Sequence, residues 1–166
     1  MTAEQYNAMA DKIRSHRWGV AVVTVMSRRI VWITMGSYML LLGILFWQKE
    51  YEALYHSILV PGVAFVVVSV FRHFFDAKRP YEMMEIRPLI VKDKVGRSFP
   101  SRHVFSSFII GMAVLQTYLW WGMILLVLGV FLAILRVVGG VHYTRDVIAG
   151  AAIGLLSGVL GFYVIF

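Results

Sequence analysis

The chain has 166 residues, 60% of them hydrophobic and 15% charged, with a mean hydropathy of +0.75. Soluble domains are about 45–50% apolar and about 25% charged, so this composition describes one membrane domain and excludes a soluble enzyme with an aqueous surface. The absence of cysteine excludes disulfide scaffolds, thiol catalysis and zinc–thiolate sites. A net charge of +7 suits anionic lipid surfaces or phosphate-bearing substrates. No nucleic-acid partner is expected, because too little of the chain is compatible with a soluble basic face.

Residues 1–17 are polar and mixed in charge, with Tyr6, Met9, Ile13 and Trp18 at roughly helical spacing. Without a basic start followed by a long apolar stretch, this does not read as a cleavable leader. The apolar run 18–27 is only ten residues long and is closed by Arg28-Arg29. A crossing helix needs about 20 apolar residues, so residues 1–29 are expected to form an amphipathic helix lying in the interface. The remainder, 30–166, is expected to be the membrane domain. Five stretches are candidates to cross the bilayer, at 30–47, 53–71, 104–119, 122–138 and 147–166. Trp120-Trp121 reads as an aromatic interfacial anchor at a hairpin between the third and fourth. Gly150, Gly154 and Gly158 form a four-residue stripe on the last, a pattern that lets helix backbones approach closely. Unpaired backbone groups are prohibitive in lipid, so an all-α integral-membrane helical bundle is expected.

Five crossings place the N-terminal segment, the loop 75–102 and the turn 139–146 on one side. That side holds all sixteen Lys and Arg residues except Lys49. The positive-inside rule then puts this face in the cytoplasm.

The same face gathers Arg72, Lys78, Arg79, Ser101, Arg102, His103, Arg136, His142 and Asp146 at or near span ends. Arginines and histidines without a set of metal-binding carboxylates suggest an anion site. Guanidinium is permanently charged and its planar fork matches phosphate oxygens. Ser101 stands where a helix starts, and the free N–H groups there also favour phosphate. Histidine titrates near neutrality and can act as nucleophile or proton donor. Asp146, four residues after His142, falls on the same helical face and could orient that ring. Each residue alone admits a plainer reading. Arg72 and Arg136 could snorkel to headgroups, His103 could be a helix-start residue, and His142 with Asp146 could be a structural pair. Lys78 is a possible contributor of long-range charge. His16, His56 and His73 fit no pattern, and Asp76, Glu82, Glu85 and Asp93 make no metal-like cluster.

Taken in order, Arg72-x6-Arg79-Pro80, Pro100-Ser101-Arg102-His103 and Arg136-x5-His142-x3-Asp146 resemble the three motifs of the type 2 phosphatidic acid phosphatase (PAP2) superfamily, which shares its fold with vanadium haloperoxidases. The resemblance covers residues 72–146. It implies that His142 attacks phosphorus to give a phosphohistidine, that Asp146 orients it, and that His103 protonates the leaving alcohol and then activates water. Arg72, Arg79, Ser101 and Arg136 would hold the phosphate oxygens, with Arg102 as a further ligand. No metal or other cofactor is implied. Three positions depart from the usual pattern: Arg72 stands for Lys, Arg102 for Gly, and Leu135 for the Ser before the third-motif arginine. The expected protein is thus a bacterial cell-membrane lipid phosphatase, cleaving a phosphomonoester or diphosphate of a phosphatidyl or polyprenyl lipid. A lipid phosphotransferase with the same intermediate, or a non-catalytic binder of anionic lipid, remains open. The sequence leaves the oligomeric state undetermined.

Overall fold

A computed structural model describes residues 2–91 and 95–165. The fold is a helical bundle, and no strand occurs among the described residues. A first helix, α1 (Ala3–Arg14), opens with a reciprocal cap in which Thr2 Oγ1 accepts from the Gln5 N–H and Gln5 Oε1 from the Thr2 N–H. Then come α2 (Gly19–Trp47), α3 (Tyr51–Phe75), a single turn α4 (Pro80–Met83), α5 (Arg102–Thr117), α6 (Leu119–Val138) and α7 (Thr144–Val159). A π-helical stretch, Leu160–Ile165, extends the last.

Four helical segments are long and apolar enough to cross a bilayer, those built on α2, α3, α6 and α7. The fifth expected span, α5, has 16 residues and falls short of that length. It is instead the most enclosed helix, with ten of its residues buried. It packs chiefly on α6 and α7 and also touches α2 and α3. The glycine stripe makes this possible. A Cβ on Gly150 would stand 2.7 Å from the Ser101 carbonyl, one on Gly154 2.8 Å from the Phe105 carbonyl, and one on Gly158 2.6 Å from Met112. Only hydrogen fits between α5 and α7 at these crossings, as expected from the sequence.

Two helix boundaries differ from the sequence reading. The break expected at Arg28-Arg29 is absent, and α2 runs unbroken through both arginines. Its 29 residues span about 43 Å at about 1.5 Å per residue. That is longer than a hydrocarbon core of about 30 Å, so the helix has length to spare for carrying Arg28 and Arg29 outside it. Likewise Trp120 and Trp121 belong to the first turn of α6, and Tyr118 alone breaks the chain between α5 and α6. Trp121 Nε1–H donates to Ser37 Oγ of α2 at 3.2 Å.

Pro61 lies inside α3 and has no N–H to give to the carbonyl of Ser57, four residues earlier. The Tyr38 hydroxyl of α2 donates to that carbonyl at 2.8 Å instead. The carbonyl that the proline frees is therefore paired.

Helix α1 is seated against protein. Tyr6 and Ala10 are fully buried in a cluster with Val23, Leu89, Ile90 and Val141. The Tyr6 hydroxyl donates to the Val138 carbonyl and accepts from the Leu89 N–H. Asn7 and Arg14 donate to the carbonyls of Glu85 and Arg87. These contacts fasten α1 under the loop that follows α4.

Candidate active site

The polar residues converge at one end of the bundle, where α3 ends, α5 begins, and α6 turns into α7. Arg72, Arg79, Ser98, Ser101, Arg136, His142 and Asp146 are all buried there. Burial of so many charges requires partners, and the structure shows where each is directed.

The connection from α3 to α5 needs donors for its own carbonyls, and the first two arginines supply them. Arg72 donates to the backbone oxygens of Arg97, Ser98 and Pro100. Arg79 donates through Nε to the Gly96 carbonyl at 3.0 Å and through Nη1 to that of Val141 at 3.3 Å. Glu82, absent from every motif, accepts from the N–H groups of Arg79 and Gly96. Asp76, which ends α3 in the left-handed region, accepts from the Arg97 N–H. His73 Nδ1 meets the Arg97 guanidinium at 2.9 Å, a structural use that agrees with its lying outside the motifs.

The second and third motifs are locked together by the start of α5. The Ser101 N–H donates to the carbonyl of Asp146 at 2.8 Å, and Gly150 lets α7 lie directly on this turn. Asp146 Oδ2 accepts from the Tyr143 N–H at 3.0 Å, which caps α7. His142 Nδ1 stands 3.5 Å from the same oxygen. Between them lies Ser98, fully buried. Its hydroxyl donates to Asp146 Oδ2 at 2.5 Å and sits 3.3 Å from His142 Nδ1. Sequence reasoning missed Ser98 and Glu82, because a lone polar residue in a loop carries no periodic signal. The only available hint for Ser98 was its nearness to Pro100-Ser101.

Burial holds the His142 pKa down to about 4, against an ordinary value of 6.5. The neighbouring carboxylate of Asp146 opposes this shift, while the nearby charges of Arg79 and Arg136 reinforce it. The ring is therefore neutral at physiological pH, with a lone pair to offer.

Arg136 and Ser101 differ from the first two arginines. The buried Nε of Arg136 and the buried hydroxyl of Ser101 have no protein partner. Both are donors held in a region where three arginines outnumber the one buried carboxylate. Arg136 and His103 together line a cavity of about 490 Å³ of mixed character, whose wall includes Ser27 and Arg28 of α2 beside Trp32, Leu89 and Ile90. His103 also lines an adjoining apolar groove with Val31, Met35, Phe65 and Ile110. His142 borders a separate cavity beside Pro80, Gly140 and Tyr143. The two histidines thus line different cavities; Arg136 lines that of His103, and its charge also acts on His142.

Arg102 is exposed, and its guanidinium lies 5.7 Å from the ring centre of Phe65, at the apolar groove. Lys78 is exposed on the loop. Among the described residues no group of three His, Cys, Asp or Glu side chains could hold a metal ion. Asp93 lies outside the described residues.

Residues 53–166 match the model of the PAP2 superfamily. The chain is 28% identical over 131 residues to the bacitracin transport permease protein BcrC of Bacillus licheniformis, covering 76% of this chain and 64% of that protein. It thus spans just under two thirds of that relative's length. The crystal structure of Aquifex aeolicus LpxE superposes with a TM-score of 0.73 at 24% identity, over 96% of this chain and 93% of the other. A transmembrane PAP2-type phosphatidylglycerolphosphate phosphatase from Bacillus subtilis superposes with a TM-score of 0.69 at 22% identity, over 95% and 83%. At such identities the likeness establishes a common fold. With residues 53–166, most of the chain, inside the family match, this integral-membrane protein belongs to the PAP2 superfamily.

Proposed function

We propose that the chain is a lipid phosphatase that cleaves a phosphomonoester or diphosphate of a membrane lipid in two steps, without a metal. The observation that carries this reading is the junction at His103. On one side is a cavity that carries the charges of Arg28 and Arg136; on the other is an apolar groove between helices. A lipid phosphate has the same division, with a dianionic head and a hydrocarbon tail.

In the first step the neutral His142 ring attacks phosphorus, forming a nitrogen–phosphorus bond while the bond to the lipid oxygen breaks. His103 protonates that departing oxygen. In the second step His103 removes a proton from water, whose oxygen displaces His142 and releases phosphate. The unpartnered donors of Arg136 and Ser101, with the remaining donors of Arg72 and Arg79, stabilise the equatorial oxygens. Arg102 stands at the groove mouth, where its charge reaches the lipid near the headgroup. A field of buried arginines repels divalent cations, which supports catalysis by charge and histidine alone.

For the topology, we infer five passages, with α5 crossing inside a ring of the four longer helices and α1 lying at the headgroup level of the active-site end. The basic residues at that end, against Lys49 at the other, favour a cytoplasmic active site in the cell membrane.

Phosphate release by the purified protein from a panel of lipid phosphates in mixed micelles tests the reading. His142→Ala should abolish turnover while leaving the protein folded, and vanadate should inhibit because its trigonal bipyramid copies the transition state. EDTA should have no effect. Undiminished turnover in His142→Ala would overturn the nucleophile assignment. Label transferred to a second lipid instead of water would make the protein a phosphotransferase.

A further inference from the structure

Ser98 lies in none of the three motif stretches, yet it is fully buried and its hydroxyl reaches both members of the His142–Asp146 pair. Its hydroxyl has one proton. That proton is directed at Asp146 Oδ2, 2.5 Å away. The hydroxyl can therefore meet His142 Nδ1, at 3.3 Å, only by accepting a hydrogen from it. The direct separation of His142 Nδ1 from the carboxylate is 3.5 Å, beyond an ordinary N–H···O hydrogen bond. Asp146 Oδ2 is itself fixed by the Tyr143 N–H, so the carboxylate cannot readily swing toward the ring.

We propose that Ser98 is a positioning residue that sets the tautomer of His142, accepting from Nδ1–H and passing the interaction to Asp146 so that Nε2 carries the lone pair that attacks phosphorus. This deepens the phosphatase reading and rests on it. Through the first step the Nδ1 proton stays on the ring. Nε2 spends its lone pair on the new bond to phosphorus, the phosphorus–oxygen bond to the lipid breaks, and the ring becomes cationic. That charge reaches Asp146 through the serine hydroxyl. In the second step the nitrogen–phosphorus bond breaks and its electron pair returns to Nε2. Without the hydroxyl, the proton can settle on Nε2, and a ring in that form has no lone pair facing phosphorus.

The test combines kinetics with nitrogen NMR of protein labelled at the histidine ring nitrogens, the His142 signals being assigned with His142→Ala. The wild type should show a protonated, pyrrole-type Nδ1 and a pyridine-type Nε2. Ser98→Ala should shift population toward protonated Nε2 and lower kcat by about tenfold to a hundredfold. That range is the rate equivalent of a hydrogen bond to a charged group, about 1.5–3 kcal/mol. KM should change little, because substrate phosphate does not touch the serine. Ser98→Thr, which keeps the hydroxyl, should restore the wild-type tautomer and most of the rate. A wild-type spectrum with Nε2 protonated would overturn the proposal, and that measurement stands even where Ser98→Ala does not fold. Wild-type kcat and tautomer in Ser98→Ala would also overturn it. Should His142→Ala remain active, the phosphatase reading itself fails; an inactive His142→Ala beside an unaltered Ser98→Ala defeats only the role of the serine.

Discussion

The two ends of the bundle solve the same problem by different means. At the end away from the site, α2 joins α3 through Gln48, Lys49 and Glu50, and α5 joins α6 through Tyr118 alone. Such short connections leave few backbone groups outside helices, and the carbonyls near each helix end accept from the next residues along the chain. At the site end, α3 and α5 are separated by residues 76–101, relieved only by the single turn α4. That length of irregular backbone must find donors away from water, and the donors are Arg72 and Arg79. Residues that the family resemblance assigns to phosphate are therefore also the supports of the loop that forms the phosphate's surroundings. Arg136 is different, since its Nε meets no protein acceptor.

This division predicts two kinds of inactive variant. Arg72→Ala should lose both activity and stability, because it strips donors from three backbone oxygens. Each buried carbonyl left unpaired costs about 1–3 kcal/mol, so thermal unfolding in detergent should fall by many degrees. Arg136→Ala should lose phosphate release to a comparable degree while melting close to the wild type. Equal melting temperatures for the two variants would erase the distinction between supporting and ligand-binding arginines.

The glycines offer a smaller and more local contrast. Gly150→Ala would set a methyl group 2.7 Å from the Ser101 carbonyl, with only backbone there to yield, so the start of α5 must shift. Overpacking of this kind costs about 1–3 kcal/mol, and activity should fall further than stability because Ser101 and His103 move with the turn. Gly43→Ala on α2 meets nothing within 4 Å and should be silent in both assays. An effect between these two is expected for Tyr38→Phe, which leaves the Ser57 carbonyl beside Pro61 without its donor. A loss of about 1–2 kcal/mol in stability with unchanged kcat is the expected result, read by thermal unfolding and phosphate release.

Much of the architecture was legible in the sequence because lipid imposes a simple requirement. The apolar runs are helices, and the spacing of Gly150, Gly154 and Gly158 identified the tight crossing. The same hydropathy misled at Arg28-Arg29, since two charges end an apolar run on paper but not a helix whose exposed arginines can reach headgroups. It put residues 1–29 in the membrane interface as one helix and gave no sign that α1 docks on protein. Tyr6 looks amphipathic locally, but its partners Leu89 and Val138 lie 83 and 132 residues away and no local pattern reveals them. In the site, the resemblance to the three family motifs pointed to Arg72, Arg79, Arg136, His142 and Asp146, all of which are buried. Ser98 and Glu82 stayed hidden because they act through loop geometry, not through periodicity.

The mildest prediction concerns acidity, and it tests whether the site end is truly a charged, water-poor region. His142 is held at about 4 where a solvated histidine would titrate at 6.5. Proton binding at low pH is therefore stronger in the unfolded chain, so this group contributes stability that is fully present above about pH 6.5 and is lost as pH falls toward 4. Between those values the folded ring stays neutral and nucleophilic. An NMR titration of the His142 ring should accordingly show no protonation at pH 5.5, where a solvated imidazole would be about nine-tenths charged. Arg136→Gln removes one of the positive charges that depress this pKa. The midpoint should then move upward, toward 6.5, with burial still keeping it below that value. A wild-type midpoint near 6.5 would mean that water reaches the ring freely, and the contrast between a dry, arginine-supported site end and an ordinary membrane surface would be lost.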